Sequence, residues 1–238
     1  MTEQIWALLP ASGVGSRMQA NCPKQYLKIQ NEYILDITIQ KMLSVSGLSG
    51  VMVVISADDA YWPSTQSYAH PSVYTTTGGA ERFHSVLNGL YALKEITSGQ
   101  DWVMVHDAAR PCVRVSDINK LISVASNNDG ALLGVPAKDT IKQVDANITL
   151  GVEKTLDRSK IWQAFTPQMF RIEVLVSALE YAISSGFMVT DDASAMELSG
   201  HRPVMVEGAS DNIKITQPQD LPLAEWLLTQ QKNTTDVS

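Results

Sequence analysis

Short apolar runs alternate with longer amphipathic segments along most of this chain. The runs are rich in β-branched residues and lie at 5–9, 51–56, 73–76, 102–106, 130–135 and 203–206. Between and after them, apolar residues recur at helical spacing at 34–45, 80–96, 116–125, 171–185, 191–198 and 217–228, with Ser116 as the candidate N-cap of the third helix. This alternation predicts an α/β fold in which a mostly parallel sheet is covered by helices on both faces.

One segment, 138–154, departs from this rhythm. Its residues alternate between polar and apolar on either side of an Asp-Ala-Asn turn at 145–147, which indicates a β-hairpin. A two-stranded hairpin is marginally stable alone in water and needs a surface to pack on. A second subunit is an economical candidate for that surface, and the chain's own domain is the alternative. We therefore expect one domain at 1–230, with 138–160 as an inserted arm for dimerisation and 231–238 as a flexible polar tail.

Composition narrows the class of protein. A chain of 238 residues with 45% hydrophobic and 18% charged residues fits one globular nucleotide-binding domain with an insertion. The formal net charge of -7 disfavours nucleic acid or an anionic membrane as partner, but it allows a local basic pocket. The apolar run at 5–9 ends at Pro10, too early for a signal or membrane segment. Cys22 and Cys112 form no disulfide or zinc pattern, so we expect reduced thiols and a cytoplasmic location.

The strongest chemical signal follows the first apolar run, in LPASGVGSRM at 9–18 and PKQ at 23–25. Gly13 and Gly15 allow a sharp turn whose backbone N–H groups can receive phosphate oxygens, and Arg17 and Lys24 add positive charge. The dinucleotide fingerprint would need a third glycine where Met18 stands, and the Gly-Lys-Ser/Thr of P-loop enzymes is absent. The sequence thus predicts a phosphate-binding loop of another type, with an ordinary strand-to-helix turn as the alternative.

A carboxylate follows the run at 102–106. In open α/β sheets, ligands bind outside the carboxyl ends of the strands, where Asp107 could meet a cation that bridges nucleotide phosphates. Arg110 is close enough in sequence to reach a phosphate or Asp107 itself. A turn or helix cap is the alternative role for Asp107.

Weaker signals lie in five further segments. Gly78 and Gly79 allow close approach to a flat base whose edge Ser85 can bind, whereas Arg82 is equally consistent with a solvated surface charge. The segments 157–158, 166–168, 190–194 and 211–214 offer anion ligands. Individually, these have simpler explanations, such as Thr190 capping a helix and Lys214 being solvated.

Other catalytic classes lack support. The histidines at 70, 84, 106 and 201 have no zinc-ligand spacing, and Ser12 lies outside a Gly-x-Ser-x-Gly elbow.

The ordered motifs resemble those of the 2-C-methyl-D-erythritol 4-phosphate cytidylyltransferases of the non-mevalonate isoprenoid pathway. The resemblance extends from residue 9 to about 228 and rests on 10–18, 23–25, 78–79, Arg82, Ser85, 106–111, 139–140, 166–168, 190–194 and 211–214. It implies a homodimeric nucleotidyltransferase with a Rossmann-like sheet and a protruding β-hairpin arm that reaches the partner's active site. Ser12 stands where the family usually has alanine, and Ala80 where some members have aspartate; both allow backbone contacts.

The resemblance also implies a role for each matched residue. Nucleotide binding falls to Ala11, Ser12, Gly13, Gly15, Gly79, Ala80, Ser85, Asp107 and Ala108. Substrate binding falls to Asp107, Arg110, Thr140, Arg158, Thr166, Thr190 and Lys214, with Thr140 and Arg158 reaching across from the other subunit. The catalytic set is Arg17, Lys24, Arg158 and Lys214, and Asp107 is the ligand of Mg²⁺ or another divalent cation.

The expected reaction is transfer of CMP from CTP to methylerythritol phosphate by direct attack on the α-phosphorus, with release of pyrophosphate. Three alternatives remain at this point. The acceptor could be a pentitol phosphate such as ribitol 5-phosphate, the enzyme could be a hexose-1-phosphate or acylneuraminate-type nucleotidyltransferase, or the chain could be a non-catalytic nucleotide sensor.

Overall fold

The structure is a computed structural model that describes residues 3–13, 18, 21–145 and 150–235. In chain order, its strands and helices are β1 (Ile5–Pro10), β2 (Lys28–Ile29), β3 (Glu32–Tyr33), α1 (Ile34–Leu43), β4 (Leu48–Ile55), β5 (Val73–Thr77), α2 (Arg82–Lys94), β6 (Trp102–Val105), α3 (Val115–Ala125), β7 (Ala131–Pro136), β8 (Lys142–Val144), β9 (Val152–Thr155), β10 (Trp162–Arg171), α4 (Ile172–Ser184), α5 (Asp192–Leu198), β11 (Val204–Glu207) and α6 (Asp220–Thr235).

A seven-stranded sheet forms the centre of the described chain, in the order β11-β7-β10-β6-β1-β4-β5. All of its pairs are parallel except those of β10, which is antiparallel to both β6 and β7. The predicted mostly parallel sheet is therefore confirmed. The sequence missed β10 because Pro167 interrupts the run and cannot donate to a ladder. The register with β7 shifts between Ala164 and Gln168, and this irregularity admits the proline.

Helices pack on both faces of the sheet, as predicted. Alternate residues of β1 point to opposite faces: Ala7 and Leu9 join the cluster with α1 and α3, and Trp6 and Leu8 join the cluster with α2, α4 and α5. A third cluster packs α6 against residues near the start of α1. The strands thus place their apolar side chains in one core or the other. Polar side chains that follow the carboxyl ends of the strands remain available for binding a ligand.

The predicted cap at Ser116 is wrong, and so is the alternative in which Thr190 caps a helix. Ser116 lies inside α3, which begins at Val115 after Arg114. Helix α5 is capped by Asp191 and not by Thr190: Asp191 accepts from the backbone N–H of Ser194, whose hydroxyl lies close to the Asp191 N–H in return. A carboxylate is as good a cap as a hydroxyl, and here it occupies the position from which it reaches the third N–H. Helix α6 continues to Thr235, so the predicted polar tail is helical over 231–235.

The predicted hairpin is present as β8 and β9, which pair in a two-stranded sheet separate from the central one. Every residue of both strands is exposed. Residues 146–149, which include two residues of the predicted turn, lie outside the described part of the chain. The hairpin leaves the domain between β7 and β10, both of which belong to the central sheet.

Candidate active site

A cleft opens at the carboxyl ends of β1 and β6, which are parallel neighbours. This is where open α/β sheets bind their ligands. Its described lining consists of Pro10, Ala11, Ser12, Gly13, Lys24, Gln25, Gly79, Ala80, Glu81, Arg82, Ser85, Asp107, Ala108, Ala109 and Lys214. The structure thus brings most of the predicted nucleotide-binding residues together. Gly15 and Arg17 lie outside the described residues.

One wall of the cleft depends on a contact between Ser12 and Ser85. Their hydroxyl oxygens are 2.9 Å apart, and the oxygen of Ser85 also accepts from the backbone N–H of Gly79 at 3.1 Å. A Cβ atom on Gly78 would stand 2.4 Å from the Ser12 hydroxyl oxygen and 2.8 Å from that of Ser85. A side chain at position 78 would force Ser12 or Ser85 to move, which favours glycine there. Ser12 therefore has a local role in joining the first loop to the start of α2.

Ala11 is held in place through both of its backbone groups. Its N–H donates to the carbonyl of Val54 at 2.8 Å, and its carbonyl accepts from the side-chain amide of the buried Gln25. Lys24, next to Gln25, donates to the carbonyl of Ile215 at 3.3 Å. The Pro-Lys-Gln motif therefore fixes the floor of the cleft and brings a lysine to its edge.

Asp107 is the electrostatic centre of the cleft. Its carboxylate lies 3.2 Å from Arg82 Nε, 3.4 Å from Arg110 Nε and 2.8 Å from Lys214 Nζ. Burial alone would raise the pKa of Asp107, but the positive charges of Arg82 and Lys214 outweigh it and hold the pKa far below its usual range. Asp107 is thus ionised throughout the physiological range, and it gathers three cations that would otherwise repel one another.

Arg82 is the functional residue whose role the sequence left undecided. Two of its nitrogens donate to the carboxylate of Asp192 at 3.2 and 2.9 Å while the third reaches Asp107. Burial would lower the pKa of Arg82, but Asp192 and Asp107 raise it above its ordinary value. The side chain is 30% exposed and that of Asp192 is fully buried. Arg82 is therefore a fixed cation of the cleft wall, not a solvated surface charge.

Gln168 of β10 fixes the start of α5, which supplies Asp192. Its side-chain amide donates to Asp191 at 2.8 Å, and its carbonyl oxygen accepts from the backbone N–H of Ala193 at 2.8 Å. Gln168 and Asp192 were missed as individual residues, although both lie in segments that the sequence had singled out.

A second network lies behind Asp107. The hydroxyl oxygen of Thr166 is 3.0 Å from the Asp107 backbone nitrogen and 3.0 Å from His106 Nδ1. His106 Nε2 is 3.1 Å from the carbonyl oxygen of Arg110. The side-chain amide of Asn212 donates to the Thr166 carbonyl at 2.9 Å, and the backbone carbonyl of Asn212 accepts from Arg110 Nη1 at 2.7 Å. These bonds join the end of β6, the middle of β10 and the segment before Lys214.

Comparison with known proteins identifies the family. A family model described as "IspD: 2-C-methyl-D-erythritol 4-phosphate cytidylyltransferase" matches residues 5–230. The chain is 49% identical over 231 residues to the 2-C-methyl-D-erythritol 4-phosphate cytidylyltransferase of Vibrio atlanticus (strain LGP32), covering 97% of both chains. It is 49% identical over 225 residues to that of Pseudomonas putida (strain GB-1), covering 94% of both. The chain belongs to the 2-C-methyl-D-erythritol 4-phosphate cytidylyltransferase family.

The fold agrees with this family. The crystal structure of the Francisella tularensis 2-C-methyl-D-erythritol 4-phosphate cytidylyltransferase superposes with a TM-score of 0.81 at 37% identity, over 94% of this chain and 100% of that one. The protein is therefore a cytidylyltransferase, a class of nucleotidyltransferase, and the alternative of a non-catalytic sensor is not favoured.

Not all residues predicted for this cytidylyltransferase line the described cleft. Lys214 lies in it, and Arg110 and Thr166 lie beside it, bonded to Asp107. Thr140 and Arg158 are exposed at the base of the hairpin, where Arg158 donates to the carbonyl of Lys138. Thr190 is also exposed, and its N–H donates to the Ser194 hydroxyl at 3.2 Å. These three residues lie outside the set that lines the cleft within one chain.

The cleft of the cytidylyltransferase has few carboxylates for a metal. Glu81 and Asp107 are those in its described lining, and the described residues contain no cluster of three or more histidine, cysteine, aspartate or glutamate side chains. Mg²⁺ is commonly bound by one or two carboxylates, with water and substrate phosphates completing its shell. The donor set therefore fits a magnesium ion bound together with a nucleotide, and it does not fit a cage made by the protein alone.

Proposed function

We propose that this protein transfers CMP from CTP to 2-C-methyl-D-erythritol 4-phosphate, giving 4-diphosphocytidyl-2-C-methyl-D-erythritol and pyrophosphate, as a cytoplasmic step of isoprenoid biosynthesis. One observation carries the proposal: Lys214, Arg110 and Arg82 converge on Asp107 at the strand ends, with Lys24 on the same cleft. Family membership supports both the nucleotide and the acceptor, and it favours methylerythritol phosphate over ribitol phosphate.

In the proposed reaction, an oxygen of the acceptor phosphate forms a bond to the α-phosphorus of CTP. The bond from that phosphorus to the β-phosphate oxygen breaks, and its electrons leave with pyrophosphate. The acceptor phosphate is already ionised near neutral pH, so no general base is required. The cleft therefore contributes alignment, which can supply roughly 7–11 kcal/mol of barrier reduction.

Charge is the second contribution. The acceptor phosphate, the triphosphate and the transition state are all anionic and repel one another. Arg82, Arg110 and Lys214 outnumber Asp107 and Asp192, so the cluster has a net positive charge before Lys24 is added. Fixed cations of this kind stabilise developing charge without reorganising during the reaction. Arg17 is proposed to join them from the phosphate-binding loop.

The loops around Ser12 and Ser85 are proposed to bind cytosine. Gly13, Gly79 and Ala80 line the same wall with small or absent side chains, so a flat base can approach the backbone. Ala11 and Ala108 are only 3% and 5% exposed, and they complete an apolar floor. Ala11 would contribute shape more than hydrogen bonds, because its N–H and carbonyl are already bonded within the protein.

Magnesium is proposed as the cofactor, held by Asp107 together with the phosphates of CTP. When bound, it would neutralise charge on the α-phosphate and the leaving pyrophosphate. Lys214, which lies 2.8 Å from the same carboxylate, would share that charge.

The active assembly is proposed to be a homodimer in which each hairpin arm completes the partner's cleft. The arm exposes the apolar side chains Val144, Leu150 and Val152, which are 39, 68 and 61% accessible. Apolar groups clustered on an exposed hairpin are typical of a protein contact surface. Thr140 and Arg158 lie at the base of this arm and would bind the acceptor phosphate in trans.

A pyrophosphate-release assay tests the function. The purified protein is given CTP with methylerythritol phosphate or ribitol 5-phosphate, and then ATP, GTP or UTP, with magnesium present or chelated. We expect release that needs CTP, methylerythritol phosphate and magnesium together. Equal rates with ribitol 5-phosphate, or release without an acceptor, would contradict the proposal.

Lys24→Ala tests the cleft in the same assay. We expect a loss of turnover of about 100-fold or more with an unchanged melting temperature. Lys28→Ala, which removes an exposed lysine nearby, is the matched control and should retain full activity. An active Lys24→Ala enzyme would remove this residue from the mechanism.

A further inference from the structure

His106 is fully buried and lies directly beside Asp107, but the proposed reaction gives it no task. Both of its ring nitrogens are within hydrogen-bond distance of a partner: Nε2 at 3.1 Å from the Arg110 carbonyl oxygen and Nδ1 at 3.0 Å from the Thr166 hydroxyl oxygen. A carbonyl oxygen can only accept, so Nε2 must bear a proton. The ring is fully buried and both of its partners, a carbonyl and a hydroxyl, are uncharged, so the neutral form is favoured and Nδ1 is an acceptor.

The state of Thr166 follows from that of His106. Its hydroxyl must donate its single proton to His106 Nδ1, because a bare ring nitrogen can only accept. The same oxygen accepts from the backbone N–H of Asp107 at 3.0 Å. A hydroxyl has one proton and two lone pairs, so one lone pair remains. Towards any ligand, the Thr166 hydroxyl is therefore an acceptor and cannot donate.

This polarity decides which part of the acceptor molecule Thr166 can bind. An ionised phosphate oxygen has no proton to donate. Its lone pair would face the remaining lone pair of the Thr166 hydroxyl, and the two would repel each other. A sugar-alcohol hydroxyl can donate. Thr166 is 5% exposed, so at most one such group can reach it.

The position of Thr166 is fixed as firmly as its polarity. Its backbone carbonyl accepts from the side-chain amide of Asn212 at 2.9 Å, and the backbone carbonyl of Asn212 accepts from Arg110 at 2.7 Å. Arg110 in turn contacts Asp107. The hydroxyl oxygen of Thr166 is therefore held in a fixed place between the middle of β10 and the end of β6.

We propose that His106 is a positioning residue that makes Thr166 an acceptor-only group, so that Thr166 selects a hydroxyl of the acceptor substrate and leaves the phosphate to the cations. This inference rests on the proposed function.

Three substitutions separate the parts of the network. Thr166→Val removes the hydroxyl at nearly constant volume. His106→Gln keeps an amide donor at the distance of Nε2 but loses the acceptor near Nδ1. His106→Asn keeps an amide oxygen near the position of Nδ1 and loses the contact with Arg110. Comparing the last two distinguishes the bond to Thr166 from general packing.

The measurements are kcat and KM for CTP and for methylerythritol phosphate. We expect Thr166→Val and His106→Gln each to lower kcat/KM for the acceptor about 10-fold, the loss of one hydrogen bond. The KM for CTP should stay within about 2-fold, and His106→Asn should recover most of the loss. The double variant His106→Gln/Thr166→Val should be no worse than Thr166→Val alone, since both act through one hydroxyl.

Acceptor analogues that each lack one hydroxyl give an independent test. With the unmodified enzyme, one analogue should lose about 10-fold in kcat/KM; with Thr166→Val, that analogue should react as well as the complete acceptor. This test needs no His106 variant, so it remains decisive if those variants do not fold.

Additive losses in the double variant, equal increases in the KM for CTP, or no analogue whose penalty disappears in Thr166→Val would each overturn the inference while the unmodified enzyme continues to turn over. Absence of pyrophosphate release from the unmodified enzyme would instead overturn the proposed function, and the inference with it.

Discussion

Arg82 donates two hydrogen bonds to Asp192, at 3.2 and 2.9 Å, and its third nitrogen donates to Asp107. The guanidinium is thus held as a plane between a fully buried carboxylate and the electrostatic centre of the cleft. A planar fork suits this task better than a flexible ammonium group, because one residue can meet two carboxylates with fixed geometry.

Asp192→Asn is expected to damage both stability and catalysis. The substitution removes one of the two carboxylates that compensate Arg82, and we expect a loss of roughly 3 kcal/mol in unfolding free energy, the low end for breaking a buried ion pair because Arg82 keeps Asp107 and 30% exposure. Urea unfolding measures this, and kcat/KM should fall at temperatures where the variant is folded. Glu225→Gln, an exposed neutralisation on α6, is the control and should change neither. Full activity of Asp192→Asn would show that Arg82 needs no fixed position.

Two glycines of the cleft should respond differently to alanine. Among the described residues, a Cβ on Gly13 meets nothing within 4 Å, so Gly13→Ala should fold normally and raise the KM for CTP about 10-fold, because the added methyl group would take space from the nucleotide. A Cβ on Gly78 would lie 2.4 Å from the Ser12 hydroxyl oxygen, so Gly78→Ala should lose roughly 1–3 kcal/mol of stability. Calorimetry and CTP kinetics on both variants check this. The same pattern in both would contradict the geometry.

Acid should destabilise the protein through His106. Its pKa falls from 6.5 to about 4 on folding, so between these values the unfolded chain binds a proton that the folded chain does not. Stability is therefore complete above pH 6.5 and declines as the pH falls towards 4, by on the order of 3 kcal/mol over the whole window. Asp107 adds nothing in this window: its depressed pKa contributes stability that is lost only in stronger acid.

Urea unfolding at pH 7, 6 and 5 measures this slope. His106→Gln removes the titrating group, so its stability should converge with that of the unmodified protein as the pH falls. Parallel curves for the two proteins would show that His106 does not titrate in this range.

Mixed dimers test the arm. In a dimer of one Arg158→Ala chain and one Lys214→Ala chain, an arm acting in trans leaves one intact site, and we expect about half the unmodified rate. Each variant homodimer should be nearly inactive. An arm that acts within its own chain would leave both sites of the mixed dimer defective. Activity no higher than that of the homodimers would therefore rule out exchange of the arms.

The sequence predicted the elements whose signals are local. The parallel strands, the helices and the hairpin follow from periodicity, and the glycine-rich loop and Asp107 follow from their positions after apolar runs. It missed β10, since Pro167 masks a strand whose pairing is settled by β6 and β7. It also left Arg82 undecided, because the partners that give it a role, Asp107 and Asp192, are 25 and 110 residues away. Long-range ion pairs leave no periodic trace in one sequence.

Direct transfer of CMP to the acceptor phosphate is the central claim, and an isotope experiment tests it most directly. Methylerythritol phosphate labelled with ¹⁸O in its phosphate oxygens is allowed to react with unlabelled CTP, and the products are examined by ³¹P NMR and mass spectrometry. Attack by the acceptor phosphate on the α-phosphorus places one labelled oxygen in the bridge of the diphosphate product and leaves pyrophosphate unlabelled. Labelled pyrophosphate, or a product with an unlabelled bridge, would contradict the account.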